Sequence, residues 1–278
     1  FMTLGCKVNQ FETETMEGLF RARGYDVVPF EERADVYVIN TCSVTHLSDR
    51  KSRQMIRRAA RTNPAACIAV TGCYAQVAPE ELRALEGVRV VLGTKERARV
   101  VDYVEAALAS AGGVIGEIAD IMQARVFEDI PLQEMPHRTR AFLKIEDGCQ
   151  NFCTFCIIPY ARGPVKSRAL PAVRREMARL AAAGFHEVVL TGIHLGAYGI
   201  DLAGRPTLAD ACRAALDEPR LRRLRLGSLE SVELSASLLE MMRTEERFAA
   251  HLHLPLQAGS DNVLRAMNRH YTTKQFAQ

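Results

Sequence analysis

Along these 278 residues, short apolar runs rich in β-branched side chains alternate with amphipathic stretches of helical period. That alternation restricts the fold more than any other feature. Strands separated by helices pair in parallel, with the helices packed against the sheet. In the first half the predicted strands are Met2 to Leu4, Tyr25 to Val28, Asp35 to Ile39, Cys67 to Thr71 and Val88 to Leu92. The predicted helices are Phe11 to Arg23, ended by Gly24, then Asp49 to Arg61, Pro79 to Leu85 and Glu96 to Ala109. Periodicity then fades from Ser110 to Arg138, a stretch punctuated by Ala111-Gly112-Gly113 and by Pro131 and Pro136. Beyond it the predicted strands are Ala141 to Ile145, Glu187 to Leu190, Leu224 to Leu226 and His251 to Leu254. They alternate with helices Pro171 to Ala183, Thr207 to Leu216, Ser235 to Arg243 and Asp261 to Asn268, the last capped by Ser260. The expected fold class is α/β: an open parallel sheet domain over residues 1–120, a linker over 121–138, and a partial barrel of four β/α units over 139–278.

Open sheets of this kind build their sites beyond the carboxyl ends of the strands. Cys6, Cys42 and Cys73 each lie just past the end of a different predicted strand, so the fold brings them to one sheet edge as a three-thiolate site. Gly5 and Gly72 beside two of them leave room for close approach to a bulky inorganic cluster. In the second half, Cys149-x3-Cys153-x2-Cys156 follows the strand Ala141 to Ile145. A cysteine-ligated iron–sulfur cube takes four thiolates. Here the run stops at three, and the next cysteine, Cys212, lies far downstream on a predicted helix. An iron left open is a position for chemistry. The competing reading, a structural zinc knot, needs a closed fourth position and ordinarily pairs two C-x2-C elements. Cys67 and Cys212 have no strand-end placement and read as small buried apolar residues.

With eight cysteines clustered this tightly and no secretory segment, reduced thiols are favoured over disulfides. No apolar run approaches the ~18 residues of a membrane span. A cytoplasmic protein is expected. The net charge of +3 permits an anionic partner without demanding one. On the helix predicted from Asp49 to Arg61, Arg50, Arg53, Arg57 and Arg61 recur every three or four residues and share one face, which suits a nucleic-acid backbone. His46, His137 and His186 have no metal-ligating neighbours. A P-loop, a G-x-S-x-G elbow and an H-E-x-x-H helix are all missing, which removes three large enzyme classes.

The run Cys149-x3-Cys153-x2-Cys156 resembles the signature of the radical S-adenosylmethionine (SAM) superfamily. Its flank, Cys156-Ile157-Ile158-Pro159-Tyr160-Ala161-Arg162-Gly163 on to Ser167-Arg168, resembles the methylthiotransferase branch. Gly5-Cys6-Lys7-Val8-Asn9-Gln10, Asn40-Thr41-Cys42-Ser43-Val44 and Gly72-Cys73-Tyr74-Ala75-Gln76 resemble that branch's amino-terminal motifs residue by residue. The resemblance implies a partial radical-SAM barrel of the (β/α)6 type and two 4Fe-4S clusters. One sits on Cys149, Cys153 and Cys156 with SAM on its open iron, and an auxiliary one on Cys6, Cys42 and Cys73. It further implies reductive cleavage of SAM, hydrogen abstraction by a 5′-deoxyadenosyl radical, and delivery of a methylthio group from the auxiliary site.

Thr3 to Gln10 and Asn40 to Thr45 most resemble the tRNA N6-threonylcarbamoyladenosine enzymes, whose target is carbon 2 of the modified adenosine beside the anticodon. The implied partners are the tRNA anticodon stem-loop, an electron donor such as flavodoxin or ferredoxin, and a sulfur source. The alternatives are the isopentenyladenosine branch, the branch acting on a ribosomal-protein aspartate, and a non-enzymatic iron–sulfur or zinc-bound RNA-binding module.

Candidate SAM contacts sit in the loops after the strands: Thr191, Gly192 and His194, then Ser228 and Glu230, then His253 and Gln257. Gly192 matches the family's glycine-containing loop, although Ile193-His194 stand where an acidic residue is common. No residue is assigned to acid–base catalysis. Phe1-Met2-Thr3-Leu4 reads as the tail of a strand, and Thr272 or Thr273 as the cap of a helix that does not develop. A fragment incomplete at both ends is therefore expected, and the resemblance implies that the last two barrel units and the family's carboxyl-terminal RNA-binding domain are missing from it.

Overall fold

The computed structural model describes residues 1–110, 112–131 and 139–278. Ala111 and residues 132–138 of the expected linker 121–138, Pro136, His137 and Arg138 among them, lie outside the described residues. The chain forms two compact units. The first holds Phe1–Ala124, the stretch beginning at Ile130, and Tyr160–Arg162. The second holds Arg125–Asp129 and the remainder of the chain to Gln278.

The elements of the first unit are β1 (Met2–Thr3), α1 (Lys7–Ala22), β2 (Val36–Thr41), α2 (His46–Thr62), β3 (Cys67–Gly72), α3 (Cys73–Val77), α4 (Pro79–Arg83), β4 (Val88–Val91) and α5 (Val100–Ala109). Its four strands pair in sequence order and all in parallel. Alternation along the strands separates two cores. Tyr37, Ile39, Ile68 and Val70 face one layer with Ile56 of α2, while Val38, Cys67, Ala69 and Val90 face another with Met16, Phe20 and Val104 of α1 and α5. Both faces are covered, as a parallel sheet requires.

Several boundaries differ from the sequence expectation for local reasons. Helix α1 starts at Lys7, four residues before Phe11, because Val8 and Asn9 are buried and Cys6 itself takes the N-cap position. Tyr25 to Val28 is not a strand. Tyr25 packs edge-on against Phe20 with ring centroids 5.2 Å apart, and the chain runs into Pro29 without a ladder partner. Helix α2 begins at His46 because the Thr45 hydroxyl accepts the Ser48 amide. In the last helix of this unit, Arg97–Arg99 forms a 3₁₀ turn, and the α-helix proper starts at Val100.

The second unit contains β5 (Ala141–Lys144), β6 (Glu146–Asp147), α6 (Ile158–Arg162, whose last three residues belong to the first unit), β7 (Lys166–Ser167), α7 (Leu170–Ala182), β8 (Glu187–Thr191), α8 (Leu208–Leu216), β9 (Arg223–Leu226), α9 (Ala236–Thr244), α10 (Asp261–Ala266) and α11 (Thr273–Ala277). Strands β5, β8 and β9 form a parallel sheet in that order, and β6 and β7 form a separate antiparallel pair. Helix α7 packs on α8, where Cys212 is fully buried.

The expected fourth strand, His251 to Leu254, is reduced to a single bridge between Ser228 and His253. Pro255 follows the run directly, and only three of the four predicted strands form the sheet. Ser260 stands at the N-cap of α10 but makes no side-chain cap bond. Thr272 does cap a short helix, through a box with Gln275. Among the described residues no helix is long and apolar enough to cross a membrane.

Candidate functional site

In the first unit, each strand-end loop delivers one thiol. Cys6 caps α1, Cys42 directly follows β2, and Cys73 opens α3 directly after β3. Cys42 and Cys73 are buried and Cys6 is exposed. The three are near neighbours: Cys6 and Cys42 both act electrostatically on Cys73, and a Cβ built on Gly5 would lie 3.1 Å from Cys42 Sγ. The positive ends of α1 and α3 favour anionic sulfur here.

Buried polar groups hold the loops together. Asn9 Nδ2 donates to the carbonyls of Leu4 at 2.8 Å and Thr41 at 3.0 Å, tying the Cys6 loop to the end of β2. Asn40 Nδ2 donates to the Asn9 carbonyl at 3.0 Å. Arg162 donates to Glu12 Oε1 at 2.8 Å and to Asn9 Oδ1 at 2.6 Å, and Arg97 pairs with Glu12 at 2.9 Å. Burial pushes the Cys73 thiol up to about 11, against an opposing pull from Arg162. A metal entering this site must therefore displace a proton from Cys73.

Gly72 is required by the chain itself. Its φ is +99°, and a Cβ there would meet the backbone of Thr41.

In the second unit, Cys149, Cys153 and Cys156 line one cavity of about 200 Å³, together with Phe155, Ser228, Glu230 and Gln257. Two larger cavities, of about 450 and 410 Å³, contain no cysteine, so donor chemistry and not size identifies the site. Burial raises the Cys156 thiol, and the other two cysteines reinforce that shift. All eight cysteines are free.

A ring of polar contacts surrounds this triad. His194 Nδ1 lies 3.8 Å from Cys149 Sγ, and Nε2 bonds Glu233. Glu233 accepts the Glu230 amide at 3.0 Å, and Glu230 pairs with Arg269 at 2.6 Å. Arg269 donates to Cys153 Sγ at 3.2 Å. Burial alone would lower His194, but Cys149 and Glu233 together carry it up to about 10. His194, Glu230 and Glu233 offer donor atoms within 4.8 Å of one another, yet each is already committed within the ring.

Of the SAM-contact candidates, His194, Ser228, Glu230 and Gln257 line the cavity. Thr191, Gly192 and His253 do not. Thr191 ends β8 and is buried, its carbonyl accepting the Ile145 amide at 2.9 Å. A Cβ on Gly192 would sit 2.6 Å from Glu146 Oε2, so this glycine lets a buried carboxylate reach the loop. Glu146 accepts the His194 amide at 2.6 Å, and burial pushes it up to about 8. His253 bonds Ser228 at 2.7 Å. Sequence reasoning missed Glu146, Glu233 and Arg269, which carry no spacing signal and meet the triad only through the fold, and Asn151, which lies within the cysteine run itself.

Cys67 and Cys212 lie in the packed layers, apart from either triad. Cys67→Ala and Cys212→Ala should each leave iron uptake unchanged and cost about 1 kcal/mol for the lost sulfur volume. A fall in iron content of either variant would make that residue a ligand.

The comparisons agree with both halves. Residues 1–93 match "Uncharacterized protein family UPF0004" and residues 143–278 match the "Radical SAM superfamily". A "Threonylcarbamoyladenosine tRNA methylthiotransferase MtaB" of Bacillus subtilis (strain 168) is 44% identical over 277 residues, covering 100% of this chain and 61% of the relative. The protein of the same name from Aquifex aeolicus (strain VF5) is 42% identical over 280 residues, covering 100% of this chain and 67% of the relative. The chain belongs to the radical SAM methylthiotransferase family.

Membership of the radical SAM superfamily implies SAM and a 4Fe-4S cluster. The chain spans 61% and 67% of the lengths of these two methylthiotransferases. Among solved structures, the radical S-adenosylmethionine methyltransferase TsrM from Kitasatospora setae superposes with a TM-score of 0.64 at 14% identity. That match covers 95% of this chain and 60% of that one, and it shows a shared fold.

Proposed function

We propose that this chain carries the cofactor sites of an enzyme that transfers a methylthio group to carbon 2 of N6-threonylcarbamoyladenosine beside the anticodon of tRNA. One observation carries the reading: two triads of free thiols, one gathered by three strand-end loops of the first unit and the other held in a single loop of the second. The relatives named for this reaction supply the substrate.

The donor sets fit iron–sulfur clusters. Both are soft thiolates, and both stop at three, which leaves one iron of a cube for another ligand. Cys149, Cys153 and Cys156 hold one cluster and Cys6, Cys42 and Cys73 the other. When bound, the first supplies the electron that cleaves SAM and the second supplies the sulfur that is transferred.

The protein's own groups position and shield. Glu230 and Gln257 line the cavity, where they would meet the polar groups of SAM. Thr191 and Gly192 act from behind its wall, where Gly192 admits the Glu146 carboxylate that fixes the His194 loop. In the first unit, Asn9 ties the ends of β1 and β2, and Glu12, Arg97 and Arg162 brace the helix that carries it. A low-potential electron donor such as flavodoxin or ferredoxin, a sulfur source and the reducing cytoplasm complete the system.

Mass spectrometry of tRNA from cells lacking the full-length gene tests the substrate. The 2-methylthio form should return with the wild-type gene and stay absent with Cys149→Ala. Its return with Cys149→Ala would refute the catalytic assignment, and a methylthio group on isopentenyladenosine would refute the substrate.

The RNA surface is assigned to α2. Arg50, Arg57 and Arg61 are exposed there, whereas Arg53 is half-buried, bonded to the Tyr74 hydroxyl and paired with Glu81 at 3.6 Å. The usable face is therefore narrower than the four-arginine stripe expected from spacing. Arg57→Glu combined with Arg61→Glu should weaken binding of an anticodon stem-loop and lower the slope of log affinity against log salt by roughly two. An unchanged slope would take α2 out of the interface.

A further inference from the structure

The loop bearing Cys149, Cys153 and Cys156 is clamped by a segment 112 to 117 residues downstream. The Thr154 amide donates to the Met267 carbonyl at 3.1 Å, and its hydroxyl donates to the Ala266 carbonyl at 3.2 Å. Asn268 Nδ2 donates to the carbonyls of Asn151 at 2.9 Å and Phe152 at 3.1 Å. These four bonds, one between backbones and three from side chains to carbonyls, fix the loop. Arg269, the next residue, does something different. One arm of its guanidinium points at a sulfur, 3.2 Å from Cys153 Sγ, and the other pairs with Glu230 at 2.6 Å. Its plane lies over the Tyr271 ring at 5.2 Å, and its side chain is only 7% exposed. Glu230 is itself held by Asn151 Nδ2 at 3.3 Å. The guanidinium is thus fixed by a carboxylate, a ring and a thiol, with little room to swing away.

We propose that Arg269 is a positioning residue that donates a charge-assisted N–H···S hydrogen bond to Cys153 and thereby raises the reduction potential of the cluster held by that triad. This inference rests on the ligand assignment made above.

The physics is one of differential stabilisation. Reduction adds one electron and no proton, and the ligating sulfurs carry more negative charge afterwards. A donor aimed at one of them binds the reduced state more strongly than the oxidised one. Hydrogen bonds to sulfur and local charge are recognised determinants of cluster potential, and outer partners are where a protein sets them. Arginine suits the task because it stays protonated and offers a rigid fork, one arm for the sulfur and one for the anchoring carboxylate. A residue present only to tie the downstream segment to the loop would not need to touch sulfur, since Asn268 and Thr154 already make that link.

The test uses protein in which Cys6, Cys42 and Cys73 are Ala, so that one cluster remains, reconstituted with iron and sulfide and kept free of SAM. Its midpoint is read by potentiometric titration against mediators, following the paramagnetic signal of the reduced cluster. Arg269→Gln should retain about four irons and disfavour reduction about tenfold, ~59 mV toward more negative potential for one electron. Arg269→Lys, which keeps the charge but not the fork, should fall between it and the parent. Asn268→Ala should leave the midpoint in place, because it loosens the clamp without removing the donor. An Arg269→Gln protein that titrates like the parent overturns the proposal while the ligand assignment stands. A parent that takes up no iron overturns the ligand assignment instead. If Arg269→Gln cannot hold a cluster, the Arg269→Lys midpoint decides by the same criterion.

Discussion

Replacing Cys6, Cys42 and Cys73 together with Ala is expected to halve the iron bound by the reconstituted protein, from about eight atoms per chain to about four, and to leave SAM cleavage in place. The expectation follows from where the thiols stand. The first triad is built by the ends of β1, β2 and β3 in one sheet, and the second by the loop after β6 in a different unit. Each has its own supporting groups: Asn9, Asn40 and Arg162 for the first, and His194, Glu233 and Arg269 for the second.

The sulfurs removed are small. Each buried Cys→Ala costs about 1 kcal/mol, so far-UV circular dichroism should show the fold retained. The reciprocal variant, with Cys149, Cys153 and Cys156 changed to Ala, should also keep about four irons but lose SAM cleavage entirely. Loss of all iron from the first variant would mean that the six thiols serve one site, and the two-cluster reading would fail.

What could be read in the sequence were the features that depend on neighbours along the chain. Strand ends place Cys6, Cys42 and Cys73 on one sheet edge, because period-two burial and the parallel rule act locally. The short spacing of Cys149, Cys153 and Cys156 keeps the three thiols together whether the run is a loop or a helix. The remainder was set by partners distant in sequence. Tyr25 to Val28 has the composition of a strand, but Tyr25 is taken by the side of Phe20 and not by a ladder. His251 to Leu254 is apolar at alternate positions yet reaches β9's neighbour through one bridge only.

Arg53 shares the spacing of Arg57 and Arg61, but Tyr74 and Glu81 lie within its reach. Arg269 stands in Met267-Asn268-Arg269-His270-Tyr271, where nothing local marks it, and it becomes part of the site only because α10 ends beside the cysteine loop. Gly192 was legible as a special position, but its reason was not. The carboxylate it accommodates, Glu146, is 46 positions earlier in the chain.

Gly72→Ala should cost roughly 3 kcal/mol or more and strip the first cluster while sparing the second. Gly72 sits between β3 and Cys73 with φ +99° and ψ −166°, a region that essentially only glycine occupies. Strain alone accounts for about 1–3 kcal/mol. Contact then adds to it, since the new Cβ would lie 2.5 Å from Asn40 Oδ1 and 2.7 Å from the Thr41 amide nitrogen, and closer still to the Thr41 carbonyl oxygen. The two Thr41 atoms are backbone of β2, paired in register with β3, so they cannot retreat without opening the ladder at its end. The displacement falls on Cys73, the next residue, and on Cys42, which directly follows Thr41.

Gly24→Ala provides the control. Its φ is +84°, but a Cβ there meets nothing within 4 Å, so only the backbone penalty of about 1 kcal/mol applies. Thermal unfolding and iron analysis of the two variants should therefore separate them. Gly72→Ala should melt lower than Gly24→Ala and hold about four irons, while Gly24→Ala keeps about eight. Equal melting and equal iron in both would show that the crowding at the end of β2 does not govern how the Cys73 thiol is presented.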